Sequence, residues 1–503
     1  MKKVVFVEPQ AGANLAYGDF LKKWPLLGCL TMATMLNQRG HDVKVYSENL
    51  TGSVLDDDKS FAELMDSHFV GVTALTASVG RAYEIAQRLK RNGFNGRLVI
   101  GGPHVSFLPD EALQYFPCVV CGEGETVIIP LVEGGERPEG IIAARPVGDL
   151  DTLPTPDLSL IHRSDQLWKT CLWKENYEVP LATSRGCPHD CKYCTVTQMY
   201  GRRCRMRSVD KVFQDVMFYY DRGYRAFFFY DDNFAADRSR TRRLLEMIKP
   251  LGIRWDAQAR IDFPWIDPAS RSTVDERLMG AVGDSGVNVI YVGYETIDDN
   301  TATEWNKGYK GAGPLVQRME EDTRILHDHG VWVHGMFVIG PHHDLATYEA
   351  IVDFSNRNGI DSIQISVLTP FPGTQIMTEM QDDLIFTDYP DDWKYYDGAH
   401  LTFHHKKAGN KAIHEAMVKY HKQYYNGSIH QWDRLRRFVF GPGAMYKKLL
   451  VGVKSALRVR RLMKRWEAET AEFIDTTATR GSHYLYPARQ DPAKPLRAHR
   501  AGI

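Results

Sequence analysis

Short apolar runs separated by helical stretches recur through most of this 503-residue chain, and this alternation restricts its fold more than any other feature. In the first 145 residues the runs are Lys3–Val7, Asp42–Tyr46, Phe69–Ala74, Arg97–Ile100 and Cys118–Cys121. Strands that alternate with helices form parallel sheets that are covered by helices on both faces. The sequence therefore predicts an α/β protein that begins with a doubly wound, Rossmann-like domain at residues 1–145.

A second series of such runs fills residues 179–385. Its members are Val179–Thr183, Ala226–Tyr230, Arg254–Ala257, Val287–Val292, Val331–Val338 and Ser362–Val367. Residues 146–178 contain Pro146, Pro154 and Pro156 and are predicted to be a linker. Residues 386–503 are predicted to form a helical C-terminal region.

Three cysteines in a C-x3-C-x2-C arrangement follow the first strand of the second series. Cys187, Cys191 and Cys194 stand in the run SRGCPHDCKYC, which extends from Ser184 to Cys194. Iron-sulfur clusters are normally held by four thiolates. A loop that supplies three leaves one iron of a [4Fe-4S] cube open to a ligand that is not protein.

Two other uses of these thiols remain alternatives. Structural zinc takes four ligands, commonly as two separated pairs, and His189 inside the loop is an awkward fourth ligand. A disulfide framework is typical of small secreted domains, whereas this long chain contains only eight cysteines. Cys118 and Cys121 form a further C-x2-C, but they fall in a strand-like run, where alternation directs them to opposite faces.

The cysteine triplet resembles the signature of the radical S-adenosylmethionine (SAM) superfamily. In that family SAM binds the open iron. An electron from the cluster then cleaves SAM, which yields a 5′-deoxyadenosyl radical. The resemblance implies that Cys187, Cys191 and Cys194 are catalytic residues as well as metal ligands. It also implies that residues 179–385 form a partial (β/α)6 barrel, with the functional groups at the C-terminal ends of its strands.

Several residues at the predicted strand ends match positions that contact SAM in this family. They are Tyr230, Asp231, Asp232, Asn233, Gln258, Arg260, Gly293 and Glu295. The resemblance assigns the first four to the amino end of SAM and the last two to its adenosine side. Gln258 and Arg260 suit the carboxylate or ribose, because arginine binds a carboxylate through two hydrogen bonds. Taken singly, Asp231 and Asp232 also fit helix N-caps, and Glu295 fits a solvated carboxylate.

Loops of the first predicted domain resemble those of the cobalamin-binding domain that precedes the barrel in one large subgroup of radical SAM enzymes. The residues expected to contact cobalamin are Thr73, Thr76, Ser78, Gly101, Gly102, Pro103, His104, Gly122, Glu123, Gly124 and Glu125. The D-x-H-x-x-G box that supplies a histidine to cobalt in many cobalamin proteins is absent. Cobalamin is thus expected to bind without a protein histidine on cobalt. The alternative is a flavodoxin-like domain that only shapes the substrate pocket.

Charge is distributed unevenly in the C-terminal region. The segment 434–465 contains eleven Lys or Arg and no Asp or Glu, interleaved with apolar residues, although the whole chain has a net charge of -1. This pattern predicts either an interfacial helix that contacts the inner membrane face peripherally or the cationic outer face of a packed helix. With a near-neutral chain and no recognisable RNA-binding module, nucleic acid is not an expected partner.

The expected location is the cytoplasm. The first apolar run is too short for a signal peptide or a membrane span, and an oxygen-sensitive cluster requires a reducing, anaerobic environment. The resemblance further implies an external one-electron donor of the flavodoxin or ferredoxin type.

The leading functional hypothesis from the sequence is hydrogen abstraction from an unactivated carbon of a small-molecule or lipid-like substrate, followed by cobalamin-dependent C-methylation. The alternatives are ring formation or oxidation on a tetrapyrrole, and carbon-carbon coupling or modification of a lipid. A non-enzymatic alternative is a regulatory protein that carries a cluster or senses cobalamin.

Overall fold

The computed structural model describes residues 1–11, 24–168, 174–309 and 311–426, together with seven residues between 464 and 473. The strands of these residues are β1 (Lys3–Glu8), β2 (Asp42–Ser47), β3 (Phe69–Thr73), β4 (Arg97–Gly101), β5 (Cys118–Cys121), β6 (Gly140–Ala143), β7 (Glu178–Leu181), β8 (Ser184–Arg185), β9 (Arg205–Met206), β10 (Ala226–Phe229), β11 (Arg254–Ala259), β12 (Val287–Glu295), β13 (Trp332–Ile339) and β14 (Ser362–Val367). They form two parallel six-stranded sheets and one antiparallel pair.

Helices connect most of these strands. The α-helices of the described residues are α1 (Leu27–Gln38), α2 (Glu48–Thr51), α3 (Asp58–Met65), α4 (Val79–Arg91), α5 (Pro103–Phe107), α6 (Pro109–Leu113), α7 (Ile128–Glu133), α8 (Val196–Tyr200), α9 (Val209–Tyr220), α10 (Arg238–Ile248), α11 (Glu276–Asp284), α12 (Asp299–Glu304), α13 (Leu315–Asp328), α14 (Leu345–Arg357), α15 (Gln375–Met380) and α16 (Asn410–Asn426).

The first sheet has the order β2-β1-β3-β4-β5-β6, and all of its pairings are parallel. Its central strands are buried on both faces, as Val4, Val5, Phe6 and Val7 of β1 show. Burial on both faces explains why these strands are continuous apolar runs in the sequence rather than alternating ones.

The second sheet has the order β7-β10-β11-β12-β13-β14 and is also entirely parallel, as a partial barrel requires. Side chains alternate along β13, where Val333 and Phe337 are fully buried while His334 and Met336 are half-buried on the other face. The two sheets place the C-terminal ends of β3, β4 and β5 close to those of β7 and β10.

The predicted α/β fold class is confirmed, and every predicted strand coincides with an observed strand to within three residues at each end. Two features were not predicted. The edge strand β6 has only four residues, which are alternately half-buried and exposed. The β8–β9 pair, Ser184–Arg185 with Arg205–Met206, is too short and too polar to give a strand signal.

The described residues of the predicted linker, 146–168 and 174–178, include a packed segment. Leu150, Leu158 and Ile161 are buried. The Asp157 backbone amide donates to Thr34 Oγ1 at 2.9 Å, and Leu158 donates to the Tyr219 hydroxyl at 3.3 Å. The segment therefore joins α1 to α9 through side-chain packing, and the exact domain boundaries stay predictions.

The described part of the C-terminal region packs onto both sheets. Trp393, Tyr396 and Phe403 are buried in the core, and the backbone after them continues into α16. The predicted basic segment 434–465 lies outside the described residues, except for Lys464.

Candidate active site

The three cysteines lie together in the loop between β8 and α8. Cys187, Cys191 and Cys194 are half-buried free thiols. The other described cysteines are free thiols as well. Burial raises the pKa of the Cys187 thiol and raises that of Cys194 to about 12. Without metal these groups stay protonated, whereas coordination deprotonates a thiol outright. The donor set therefore fits an iron-sulfur cluster.

A later loop of the barrel, at residues 305 and 306, holds the cysteine loop in place. The Lys192 amide donates to the Trp305 carbonyl at 3.0 Å, and the Asn306 side chain donates to the Asp190 carbonyl at 2.8 Å. Tyr193 packs edge-on against Trp305, with 5.7 Å between ring centroids. Because residues 305 and 306 follow β12, these contacts place the cysteines over the C-terminal end of the barrel.

Gly186 sets the direction of the chain as it enters this loop. Its φ is +90°, a region that L side chains rarely adopt, and a Cβ there would stand 3.0 Å from the Arg203 carbonyl oxygen. Glycine meets both requirements at no steric cost. The backbone geometry therefore requires glycine at position 186, directly before the first cysteine.

Asp231 has partners within the protein that the sequence did not reveal. It is 2 % exposed, and its carboxylate accepts hydrogen bonds from the Thr183 and Ser184 amides and from the Thr183 hydroxyl. All of these donors belong to the strand and hairpin that precede the cysteines. Asp231 therefore fixes the chain before the cysteine loop, and the SAM contact predicted for it stays a prediction.

Its neighbours keep side chains that face the site. Tyr230 is 43 % exposed, and both Tyr230 and Asp232 line the cavity described below. Asn233 is buried, and its Oδ1 has no hydrogen-bond partner. A buried amide oxygen without a donor costs free energy, so this position suits the ammonium group of a bound ligand. Gln258, half-buried at the end of β11, lies on the neighbouring strand.

Arg260 is also engaged within the protein. Its guanidinium donates two hydrogen bonds to Asp262, at 3.1 and 3.0 Å, and two more to the carbonyls of Lys307 and Gly308. These bonds occupy its guanidinium donors within the protein, and the carboxylate contact expected from the sequence stays a prediction. Arg260 holds the segment that carries Lys307.

Lys307 pairs with Glu295, the residue at the end of β12. The Lys307 ammonium lies 2.8 Å from Glu295 Oε1. Glu295 has a φ of +62°, and strained backbone of this kind in a non-glycine residue clusters at functional sites. The adjacent Gly293 leaves room for this carboxylate, because a Cβ there would stand 2.4 Å from Glu295 Oε1. The pair fits the predicted adenosine-side contact.

A cavity of about 290 Å³ lies between the first sheet and the start of the cysteine loop. Predicted cobalamin contacts that line it are Thr73, Gly101, Gly102, Pro103, Gly122, Glu123, Gly124 and Glu125. Its inner end is apolar, with Phe6, Val99 and Leu131 among its walls, and its outer end reaches Arg185 and Asp232. An apolar interior that opens beside the cysteine loop fits one part of a large, partly uncharged cofactor such as cobalamin, the rest of which would extend beyond a space of this size.

Three predicted cobalamin contacts lie elsewhere. His104 is buried and shares hydrogen bonds of 3.3 Å with Thr76 Oγ1 and with Glu111. Glu111 also accepts from Trp393 at 2.9 Å. Ser78 bonds to the backbone of Leu75. Thr76, Ser78 and His104 therefore do not line this cavity, their contact with cobalamin stays a prediction, and no described histidine lines the cavity.

The cavity loop is joined to the cysteine loop by two arginines, Arg185 and Arg205, which were not predicted from the sequence. Arg185 donates to Glu123 at 2.9 Å and to Glu125 at 2.5 Å, and Arg205 also pairs with Glu123. The sequence signal for this contact was Arg185 itself, two residues before the first cysteine. Solvent exposure alone does not explain a charged residue at that position.

Comparisons with known proteins agree with this site. Residues 16–131 match the model of the B12 binding domain, and residues 181–355 match that of the radical SAM superfamily. The chain is a radical SAM enzyme with a B12-binding domain. Its cofactors are a [4Fe-4S] cluster, SAM and cobalamin, as predicted. The cluster replaces the zinc and disulfide alternatives for the three cysteines.

Individual relatives align over most of the chain. The bacteriochlorophyllide d C-12(1)-methyltransferase of Chlorobaculum tepidum is 29 % identical over 85 % of this chain and 88 % of its own. The anaerobic magnesium-protoporphyrin IX monomethyl ester cyclase of Rubrivivax gelatinosus is 22 % identical over 77 % of this chain and 71 % of its own. The fold resembles that of the cobalamin-dependent SAM radical enzyme OxsB, with a TM-score of 0.64, 14 % identity, and coverage of 95 % of this chain and 80 % of that one.

None of the helices within the described ranges is both long and apolar enough to span a bilayer.

Proposed function

We propose that this radical SAM enzyme is a cobalamin-dependent C-methyltransferase. The observation that carries the proposal is the shared cavity. Gly101, Gly102 and Gly122 of the B12-binding domain and Asp232 of the radical SAM domain line the same space, next to the hairpin that leads to the cysteines. A cavity lined by both domains brings a cofactor bound in it next to the cluster loop, so the two cofactors are placed to act on one substrate molecule.

When bound, the cluster and SAM supply a 5′-deoxyadenosyl radical that removes hydrogen from an unactivated carbon, and cobalamin supplies a transferable methyl group. The protein's own residues bind and orient these cofactors. Cys187, Cys191 and Cys194 hold the cluster, Asn233 and Glu295 are proposed to hold opposite ends of SAM, and Gln258 stands between them. Asp231 and Arg260 fix the segments on which these groups depend.

A tetrapyrrole is the substrate class that we propose first. The methyltransferase of Chlorobaculum tepidum, whose name specifies a bacteriochlorophyllide, aligns over most of both chains. The same substrate class supports a second candidate function, because the Rubrivivax gelatinosus relative is named as a cyclase of a magnesium-protoporphyrin ester. A lipid-like substrate is the third candidate, and it depends on the basic segment 434–465.

Two further parts of the proposal concern the surroundings of the enzyme. We propose that a flavodoxin- or ferredoxin-type protein delivers the electron, and that the enzyme works in an anaerobic cytoplasm, because the cluster is oxygen-sensitive. We also propose peripheral membrane contact through residues 434–465, and liposome binding with and without this segment tests it.

The decisive experiment uses anaerobically purified protein, reconstituted with iron and sulfide and supplied with hydroxocobalamin, a reductant and SAM that carries a CD3 group. The enzyme is offered magnesium chlorins and porphyrins, and both 5′-deoxyadenosine and products are measured by mass spectrometry. Methylation predicts a product that carries CD3, whereas a modified product without deuterium would favour the cyclase. The Cys191→Ala variant should abolish both signals, and Cys118→Ala, outside the loop, should retain them.

A further inference from the structure

Arg185 joins the two cofactor-binding parts of the molecule. It lies at the end of β8, two residues before Cys187, and donates to Glu123 Oε2 at 2.9 Å and to Glu125 Oε1 at 2.5 Å. Both glutamates belong to the loop after β5 that lines the cavity. The Arg185 side chain is 16 % exposed and those of both glutamates are 5 % exposed. The contact is therefore a largely buried bridge between the cavity loop and the cysteine loop, in which the two terminal nitrogens of Arg185 each bind a different carboxylate.

The hairpin that carries Arg185 depends on this acidic loop. Arg185 stands directly opposite Arg205 in the antiparallel β8–β9 pair. Like charges in that arrangement destabilise a strand pair. Glu123 accepts hydrogen bonds from both arginines, and thereby offsets their repulsion. The strand pair in front of the cysteines thus needs the cavity loop in its observed position.

The cavity loop is fixed in turn by the same carboxylates. Glu123 also accepts a hydrogen bond from the Val147 amide at 2.9 Å, while Arg205 donates to the Val147 carbonyl at 2.6 Å. A shift of residues 122–126 on ligand binding therefore acts directly on Arg185 and Arg205. Buried ion pairs are weak evidence for stability in themselves, because apolar residues of similar volume often replace them without loss.

We propose that Arg185 is a positioning residue that couples the binding of cobalamin to the state of the cysteine loop. The inference rests on the proposed function, since it requires cobalamin in the cavity. Coupling between two binding sites is reciprocal. The protein with a reconstituted cluster should therefore bind cobalamin more tightly than the metal-free protein, and cobalamin should make the cluster harder to remove.

The test compares hydroxocobalamin affinity with and without the cluster in the full-length protein. Wild type should show a ratio of at least about 5-fold between the two dissociation constants, the lower end of typical coupling. Arg185→Gln should bring this ratio close to one. Arg185→Lys should recover only part of it, because lysine lacks the two fixed terminal nitrogens that bind Glu123 and Glu125. The rate at which a chelator removes iron, with and without cobalamin, measures the reciprocal effect.

Arg271→Gln is the matched control. Arg271 is a buried arginine that pairs with Asp322 and Glu321, away from the cavity, so its loss should affect stability and leave the affinity ratio unchanged. Glu125→Gln provides a second test if Arg185→Gln fails to fold, since it removes one charge of the bridge and keeps the side-chain volume. It should lower the ratio as well.

The outcomes separate this inference from the proposed function. If wild type binds hydroxocobalamin with the same affinity in both states, or if the Arg185 and Glu125 variants keep the wild-type ratio, the coupling role is wrong while cobalamin dependence stands. If wild type does not bind hydroxocobalamin in either state, the proposed function fails, and the coupling role fails with it.

Discussion

Asp231 accepts two hydrogen bonds from Thr183, one from its backbone amide at 2.7 Å and one from its hydroxyl at 2.6 Å. A third comes from the Ser184 amide at 2.7 Å. These bonds tie the end of β10 to the end of β7, immediately before the hairpin that leads to the cysteines. A carboxylate that the sequence assigned to a ligand is therefore part of the support of the cluster loop.

Replacing Asp231 should weaken both the fold and iron binding. Asp231→Ala leaves two buried backbone amides without an acceptor and should cost about 3 kcal/mol of unfolding free energy. Asp231→Asn should cost less, because its amide group can donate to the Thr183 hydroxyl while its oxygen still accepts. Denaturant unfolding and iron content after reconstitution should both follow the order wild type, Asn, Ala.

Asp237→Ala is the control for this series. Asp237 caps α10 through the Arg240 amide, and loss of a cap costs about 1 kcal/mol. Iron content should stay at the wild-type level. An Asp231→Ala protein that retains full iron content would contradict the supporting role.

Gly102 offers a prediction that separates the two cofactors. Its φ is +107°, and a Cβ there would stand 2.8 Å from the Ala74 carbonyl oxygen and 2.9 Å from the Ala74 nitrogen. Gly102→Ala must therefore displace the loop that lines the cavity, with strain of about 1–3 kcal/mol. We expect at least tenfold weaker hydroxocobalamin binding, with iron content near that of wild type. Gly148→Ala, where the added Cβ meets nothing within 4 Å, should change neither quantity.

The strands and the cysteine loop were predictable for different physical reasons. Parallel strands buried on both faces are apolar throughout, so β1 and β10 stand out from the sequence. The spacing of Cys187, Cys191 and Cys194 is a chemical signal that lies within one loop and needs no tertiary context. Strand β6 was not predicted from the sequence, because a short edge strand has one solvent-exposed face and little apolar pattern.

The individual site residues were harder to predict, because a polar side chain at a strand end has more than one partner available. Asp231 and Arg260 lie at the expected ends, yet their partners are the neighbouring backbone and Asp262. His104 follows the cavity glycines in sequence, but its ring contacts Trp393, almost three hundred residues later. Only the tertiary structure decides whether such a group faces a ligand or the protein.

Glu295 should control the affinity for SAM. Its carboxylate accepts from Lys307 through Oε1, and we propose that the group also accepts from a ribose hydroxyl. Glu295→Gln keeps the volume but replaces a charge-assisted hydrogen bond with a neutral one, which is roughly half as strong. The dissociation constant of SAM should rise about tenfold, equivalent to about 1.4 kcal/mol.

Equilibrium binding of SAM to the reconstituted protein measures this effect. Glu304→Gln, an exposed glutamate at the end of α12, is the matched control and should leave the affinity unchanged. Equal affinities for wild type and Glu295→Gln would remove Glu295 from the SAM site.

His421 should make the stability of the fold depend on pH. Its Nε2 accepts a hydrogen bond from the Ile365 amide at 3.0 Å, and its Nδ1 donates to the Met417 carbonyl at 2.7 Å. Burial lowers the pKa of His421 from 6.5 to about 4. The unfolded chain therefore takes up a proton near pH 6.5, whereas the folded protein does so only near pH 4. Stability is present above pH 6.5 and is lost as the pH falls through this interval, by up to roughly 3 kcal/mol.

The measurement is the unfolding free energy of the metal-free protein in denaturant, at several pH values between 5 and 7.5. Other buried histidines, such as His414 with a pKa lowered to about 3 by burial, add to the same slope. His421→Gln should therefore reduce the slope by up to one proton rather than abolish it, whatever its effect on absolute stability. His404→Gln replaces an exposed histidine and should keep the wild-type slope. An unchanged slope in His421→Gln would mean that this imidazole is protonated in the fold, and that the bond from Ile365 does not depend on its neutral form.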